Sequence, residues 1–214
     1  MKEALSSQLS ALSLVLASVL IPETLVSADQ SDRLRRLAID PSSSQITIQV
    51  GRSGVFGFAG HDHEVVGPIG SGEIALDSSN LARSSVTLTI ATRSLKVTGK
   101  GEPKKDVPAV QDAMERDVLD VARHPTIRFE SRQVKVTSPS ESTPALAITG
   151  DLTLGGVTRP ITVPAQVRLD GRSLTATGTV SIKQTEFGIK PVSAVGGTVK
   201  VRDELRITFR ISAR

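Results

Sequence analysis

The sequence predicts an all-β protein: an up-and-down antiparallel β-barrel of about eight strands, with one short helix around residues 108–122. Three observations predict it. Between Ala145 and Ile182 apolar residues fall on alternate positions, running Leu146, Ile148, Leu152, Leu154, then Val157, Ile161, Val163, Ala165, Val167, then Leu174, Ala176, Val180, Ile182. Such alternation marks strands with one buried and one wet face. Gly155-Gly156 and Asp170-Gly171 punctuate the run as two-residue hairpin loops, and the apolar parity switches at each of them. Nine or ten short strand candidates follow one another along the chain, with no linker and no long repeat. Many antiparallel strands in one domain call for closure, because open edges invite aggregation. A sandwich is the second architecture that the pattern allows.

From the N-terminus, the run Leu12 to Ile21 is apolar but short for a bilayer span, Lys2 precedes it, and Pro22 breaks it. Val26-Ser27-Ala28 offers small residues for cleavage. Residues 1–28 are therefore expected to be a signal peptide cut after Ala28, leaving no stable membrane span and a periplasmic or secreted product. Residues 29–43, with Asp32-Arg33-Leu34-Arg35-Arg36 and then Pro41, read as a flexible lead-in. The barrel domain is expected over 44–214.

Ile46, Ile48 and Val50 alternate in a first strand, and Val55 to Ala59 gives a second with Phe56 and Phe58 on one side. Glycines from Gly67 to Gly72 predict bulges or tight bending. Strands are expected at Glu73–Leu76 and Ser85–Val97, parted by a turn at Asp77 to Asn80. Pro108 can open a helix, and Val110, Ala113, Met114, Val118 and Val121 make one stripe at helical spacing until Pro125 ends it. Ile127 and Phe129 start a strand whose parity changes by Val134, so a bulge is expected between Ser131 and Gln133. With the two dipeptides as loops, Leu154 falls opposite Val157, Ile148 opposite Val163, Val167 opposite Leu174 and Ile161 opposite Val180. Val199–Val201 and Leu205–Ile211 are expected as a last hairpin turning at Arg202 to Glu204.

Composition narrows the function. The chain has 214 residues, 2% aromatic, without Trp, Tyr or Cys, and a formal net charge of +4. Its basic residues are dispersed and stacking residues nearly absent, which excludes nucleic acid as the expected partner. There is no nucleophile elbow, phosphate loop or dinucleotide fingerprint in a fitting context, so no residue is assigned a catalytic role and no enzyme is expected. His61 and His63 share a strand face, and His124 precedes Pro125. With Glu64 or Asp62, these three imidazoles make an alternative metal site and, through it, an alternative metal-binding or metal-dependent function. Arg159 falls on the apolar face opposite Leu152, where it meets an anionic head group, snorkels to water, or marks a local register shift caused by Pro160.

The stretch Leu119-Asp120-Val121-Ala122-Arg123-His124-Pro125-Thr126-Ile127-Arg128-Phe129-Glu130-Ser131 resembles the helix-to-strand signature of the YceI-like family. Gly150-Asp151-Leu152-Thr153-Leu154-Gly155-Gly156-Val157-Thr158-Arg159-Pro160-Ile161-Thr162 is similar to that family's hairpin. Phe187-Gly188-Ile189 and Asp203-Glu204-Leu205 match two further segments in the right order. Two places depart from the family pattern: the group Gly60 to Glu64, and Lys183-Gln184-Thr185-Glu186 before Phe187. The resemblance implies a lipocalin-like barrel, exported, that holds an isoprenoid-like, quinone-like or other amphiphilic chain in an apolar channel for transport or storage. Phe56, Phe58, Phe129, Ile148, Leu152, Arg159 and Val163 are the expected ligand-binding residues. A structural or stress protein with a filled barrel is a further alternative, and a homodimer is left open.

Overall fold

The computed structural model describes residues 34–53, 62–194 and 199–214. The expected signal peptide, the expected strand at 55–59 with Phe56 and Phe58, and His61 lie outside the described residues. In chain order the strands are β1 (Leu34–Ala38), β2 (Gln45–Ser53), β3 (His63–Pro68), β4 (Ser71–Asp77), β5 (Ser85–Ala91) and β6 (Lys96–Val97). Helix α1 (Val107–Ala113) runs into a π-turn at Met114–Val118. Then come β7 (Thr126–Ser138), β8 (Ala145–Leu154), β9 (Val157–Asp170), β10 (Ser173–Lys183), β11 (Ser193–Ala194) and β12 (Val199–Ala213).

Eleven of these twelve segments among the described residues make eight staves, and the short β11 pairs only with β12 beside that path. β1 and β2 are one stave broken at residues 39–44, β3 and β4 another broken at Ile69-Gly70, and β5 and β6 a third broken by a 3-10 turn at Thr92–Ser94. The other five are β7, β8, β9, β10 and β12. The broken staves close the ring. β12 pairs with β2 from Phe209↔Ile46 and continues to Ile39↔Ala213, with the Asp40 N–H donating to the Ser212 carbonyl at 2.8 Å. β1 pairs with β4 and β2 with β3, and the Ile69 N–H donates to the Ser44 carbonyl across the break. β4 then pairs with β5, β3 with β6, and β5 with β7. Thus the barrel of about eight strands stands, cut into more segments than alternation alone shows.

Register follows the pattern in the first hairpin. Leu154 pairs with Val157, Ile148 with Val163 and Leu152 with Arg159, and both loop glycines take positive φ, 58° and 77°. The bulge between Ser131 and Gln133 is present. Three expectations are corrected. The second hairpin turns at Gly171-Arg172, so Val167 pairs with Ala176 and Leu174 with Leu169, two residues from the expected register, and the expected Ile161–Val180 pair lies beyond the end of the ladder. That slip of two keeps every side chain on its face, which is why apolar parity could not detect it. The last pair of strands is the single strand β12, bent by a register shift between Val201 and Leu205 rather than turned. Finally, Leu34–Ala38 is no lead-in: β1 pairs along β4, and Leu37 is buried in the core.

Although β9 and β10 both run on, their ladder stops at Gln166↔Thr177. Rungs recur at every second residue of an antiparallel pair, and here they fall on even-numbered residues of β9. The next donors would be residues 164, 162 and 160, and two of these are proline, without an N–H. Beyond that point β8 is the one strand that pairs with β9 among the described residues. Just at the parting, a Cβ on Gly178 would lie 2.1 Å from the Pro164 carbonyl oxygen and 2.6 Å from the Phe209 ring. Only glycine lets the two strands and that ring meet. Gly150 makes the same room for the ring of Phe129.

Candidate ligand-binding site

Odd residues of β9 and β12 and even residues of β8 and β10 point inward, as strand alternation requires. Their burial is uneven. On β8, Leu146 and Leu152 are buried but Ile148, between them on the same face, is only half-buried. Ile161 and Val163 on β9, Val180 on β10 and Ile207 on β12 are likewise half-buried. An inward aliphatic that keeps exposure inside the barrel borders unfilled space or the gap between β9 and β10. That space is a cavity of ≈ 610 Å³. Its size lies within the roughly 300–1,000 Å³ of small-molecule sites. The filled-barrel alternative does not describe this interior.

The helix supplies one boundary. Val110, Met114 and Val118 recur every fourth residue, border the cavity and pack on the core. The expected stripe thus forms, although the regular α-turns end at Ala113 and the π-turn completes it. Gln111 ties this segment to the wall, its side-chain oxygen accepting from the Val97 N–H at 2.8 Å and its Nε2 donating to the Leu95 carbonyl at 3.0 Å.

Of the expected ligand-binding residues, Phe129, Ile148, Leu152 and Val163 border the cavity. Arg159 does not. It keeps the expected place opposite Leu152, but its side chain is exposed and Nε donates to the Glu186 carbonyl at 3.0 Å. It reaches outward to water, the snorkelling outcome among its readings, and the register at Pro160 is unshifted. Phe56 and Phe58 lie outside the described residues.

Polar groups on the cavity wall are few among the described residues: His63, Ser84, Ser85, Asp106 and Gln184. Gln184 is committed, its Nε2 donating to the Arg202 carbonyl at 2.8 Å. His63 sits opposite Val50 on the inward face of β3, and its Nδ1 lies 3.1 Å from Oε2 of Glu102. The Glu102 side chain is 1% exposed, and its other oxygen, Oε1, has no hydrogen-bond partner among the described residues. Sequence reasoning missed Glu102 because it lies in a polar loop beside Lys100, Lys104 and Lys105, where a solvated carboxylate is the ordinary expectation. His124 is placed elsewhere, its ring against Gly156 at the first hairpin and its carbonyl accepting from the Thr92 hydroxyl at 2.7 Å. Among the described residues no three His, Cys, Asp or Glu side chains are gathered as a metal site, and His61 lies outside them.

Comparison with known proteins agrees with the architecture. The family model described as the YceI-like domain matches residues 37–213. A UPF0312 protein of Pseudomonas paraeruginosa is 33% identical over 125 residues, 56% of this chain and 59% of that protein. One from Pseudomonas syringae pv. tomato is 31% identical over 144 residues, 64% of this chain and 67% of that protein. The chain's match thus spans about three fifths of the length of the first of these curated relatives. Two solved structures share the fold. Burkholderia cenocepacia BcnA superposes with a TM-score of 0.62 at 21% identity, covering 82% of this chain and 99% of its own. A polyisoprenoid binding domain from Saccharophagus degradans, implicated in plant cell wall breakdown, gives 0.60 at 9% identity, covering 85% and 98%.

Proposed function

Starting from a chain that belongs to the YceI-like domain family, we propose that this protein is an exported carrier that holds an isoprenoid-like or other long amphiphilic chain inside its barrel. One observation carries the reading: a cavity of ≈ 610 Å³ walled almost wholly by aliphatic side chains. Each methylene withdrawn from water into such a space contributes about 0.8 kcal/mol, so a long tail binds without many polar contacts. The solved polyisoprenoid binding domain of the same fold supports the choice of ligand class. The apolar run ending at Pro22, with small residues up to Ala28, supports export to the periplasm or medium. Holding, for transport or storage, is the function; no reaction is assigned to it.

Native mass spectrometry of protein purified without detergent tests this. The expected spectrum shows one amphiphile per chain, removed by organic extraction and replaced on adding geranylgeraniol. Protein that is empty from the start and takes up neither geranylgeraniol nor a short-chain ubiquinone would overturn the reading. N-terminal sequencing of the mature chain, expected to begin at Asp29, tests the export part separately.

A further inference from the structure

His63 and Glu102 are an unexplained pair in an otherwise greasy interior. The carboxylate is 1% exposed and the imidazole 22%, and they are joined at 3.1 Å through Nδ1 and Oε2. A buried carboxylate with one oxygen unpartnered among the described residues is costly, and a barrel needing only a core would place an aliphatic pair there. What the arrangement does is fix a ring. A carboxylate bonded to Nδ1 sets the orientation of the imidazole and leaves Nε2, which has no partner among the described residues, available to a ligand in the cavity that His63 borders. Nε2 accepts from a hydroxyl when it carries no proton, and donates to a carbonyl when it carries one.

We propose that Nε2 of His63, oriented by Glu102, docks an uncharged oxygen at the polar end of the bound chain, an alcohol hydroxyl or a quinone-type carbonyl. This rests on the carrier reading above and deepens it. Charge decides against a phosphate at this point. No lysine or arginine borders the cavity among the described residues, whereas Asp106 borders it and Glu102 backs the histidine. A phosphate at Nε2 would sit beside a histidine already paired with the Glu102 carboxylate, with no cavity-lining cation among the described residues to offset it. A neutral oxygen needs only the single hydrogen bond the site offers.

The test compares four probes of similar chain on the full-length protein: geranylgeraniol, a short-chain ubiquinone, geranylgeranyl phosphate and the hydrocarbon phytane. Dissociation constants come from displacement of a polarity-sensitive anilinonaphthalene dye. Wild type is expected to prefer the alcohol or the quinone over phytane by about tenfold, the worth of one buried hydrogen bond to a polar partner. In His63→Leu that preference falls to within about twofold while phytane affinity holds, and Glu102→Gln falls between. The ¹⁵N resonance of His63 Nε2, separable because the chain has only three histidines, moves on adding the alcohol or quinone and stays with phytane. This measurement on wild type carries the test if His63→Leu does not fold. Equal binding of all four probes, an alcohol preference untouched by both substitutions, or a phosphate ester bound tightest would overturn the docking role and leave the carrier standing. Failure of every probe to bind would overturn both.

Discussion

Asp77 shows how a single carboxylate fixes a corner of this barrel. It ends β4, is 2% exposed, and gathers the Ser79 hydroxyl at 2.6 Å and the backbone N–H groups of Ser79 and Asn80, each at 2.9 Å. The Ser79 hydroxyl first, and then the two N–H donors, favour the charged form and hold the carboxyl below the usual aspartate value of 3.8, against the opposing effect of burial. The sign of the linkage follows. A group with a lowered folded-state pKa adds stability that is complete above its unfolded value and lost as pH falls through the folded one. Asp77→Asn is therefore expected to be less stable than wild type at pH 6, with the gap narrowing as pH drops from about 4 toward 2. Urea midpoints at several pH values check this, and a gap that is constant or widens in acid would refute it. The turn itself was readable as Asp77-Ser78-Ser79-Asn80, because aspartate and serine are the residues that bond their own backbone two positions on. Glu102 was not readable, since burial of a loop carboxylate depends on what the fold lays over it.

At the scale of the strand, β9 is the element whose two sides differ most. Toward β8 it pairs over ten of its fourteen residues, from Leu154↔Val157 to Ala145↔Gln166; toward β10 it pairs only from Asp170 to Gln166. Pro160 and Pro164 remove two of the three donors that the second ladder would use, so Thr162 holds the one remaining N–H on that side. Its amide is expected to exchange with solvent about a hundredfold faster than that of Ile161, which points to β8. Native-state hydrogen exchange followed by NMR measures both; equal protection of the two amides would show that the ladder continues. The prolines were visible in the sequence, and so was the disturbance they bring. The extent of the gap was not, because it also needs the turn to close at Gly171-Arg172, and parity is blind to a shift of two. The bend of β12 escaped for a related reason: Arg202-Asp203-Glu204 are polar whether they turn a chain or bulge out of a ladder. There Asp203 accepts from the Thr185 N–H and hydroxyl, which locks the bend to the turn before Phe187.

For the molecule as a whole, alternation told which side chains face inward but not whether they touch. Val180 and Ala176 read alike in the sequence, two inward residues on one strand, yet the first is half-buried and the second is 7% exposed. Val180→Phe is expected to place its ring in free volume, weakening geranylgeraniol binding at least about tenfold while costing little stability. Ala176→Phe in the packed part should instead cost about 1–3 kcal/mol through overpacking. Paired thermal melts and dye displacement distinguish them, and equal destabilisation by both would mean that the interior has no spare room at Val180. The missing rungs between β9 and β10 bear on the same question of room. A cylinder stitched all round has a fixed girth, since widening it anywhere breaks backbone bonds. This one is split like a sprung collar along part of its length, so its bore can yield there to a thicker guest, or grip a thinner one, without undoing a backbone rung of the wall.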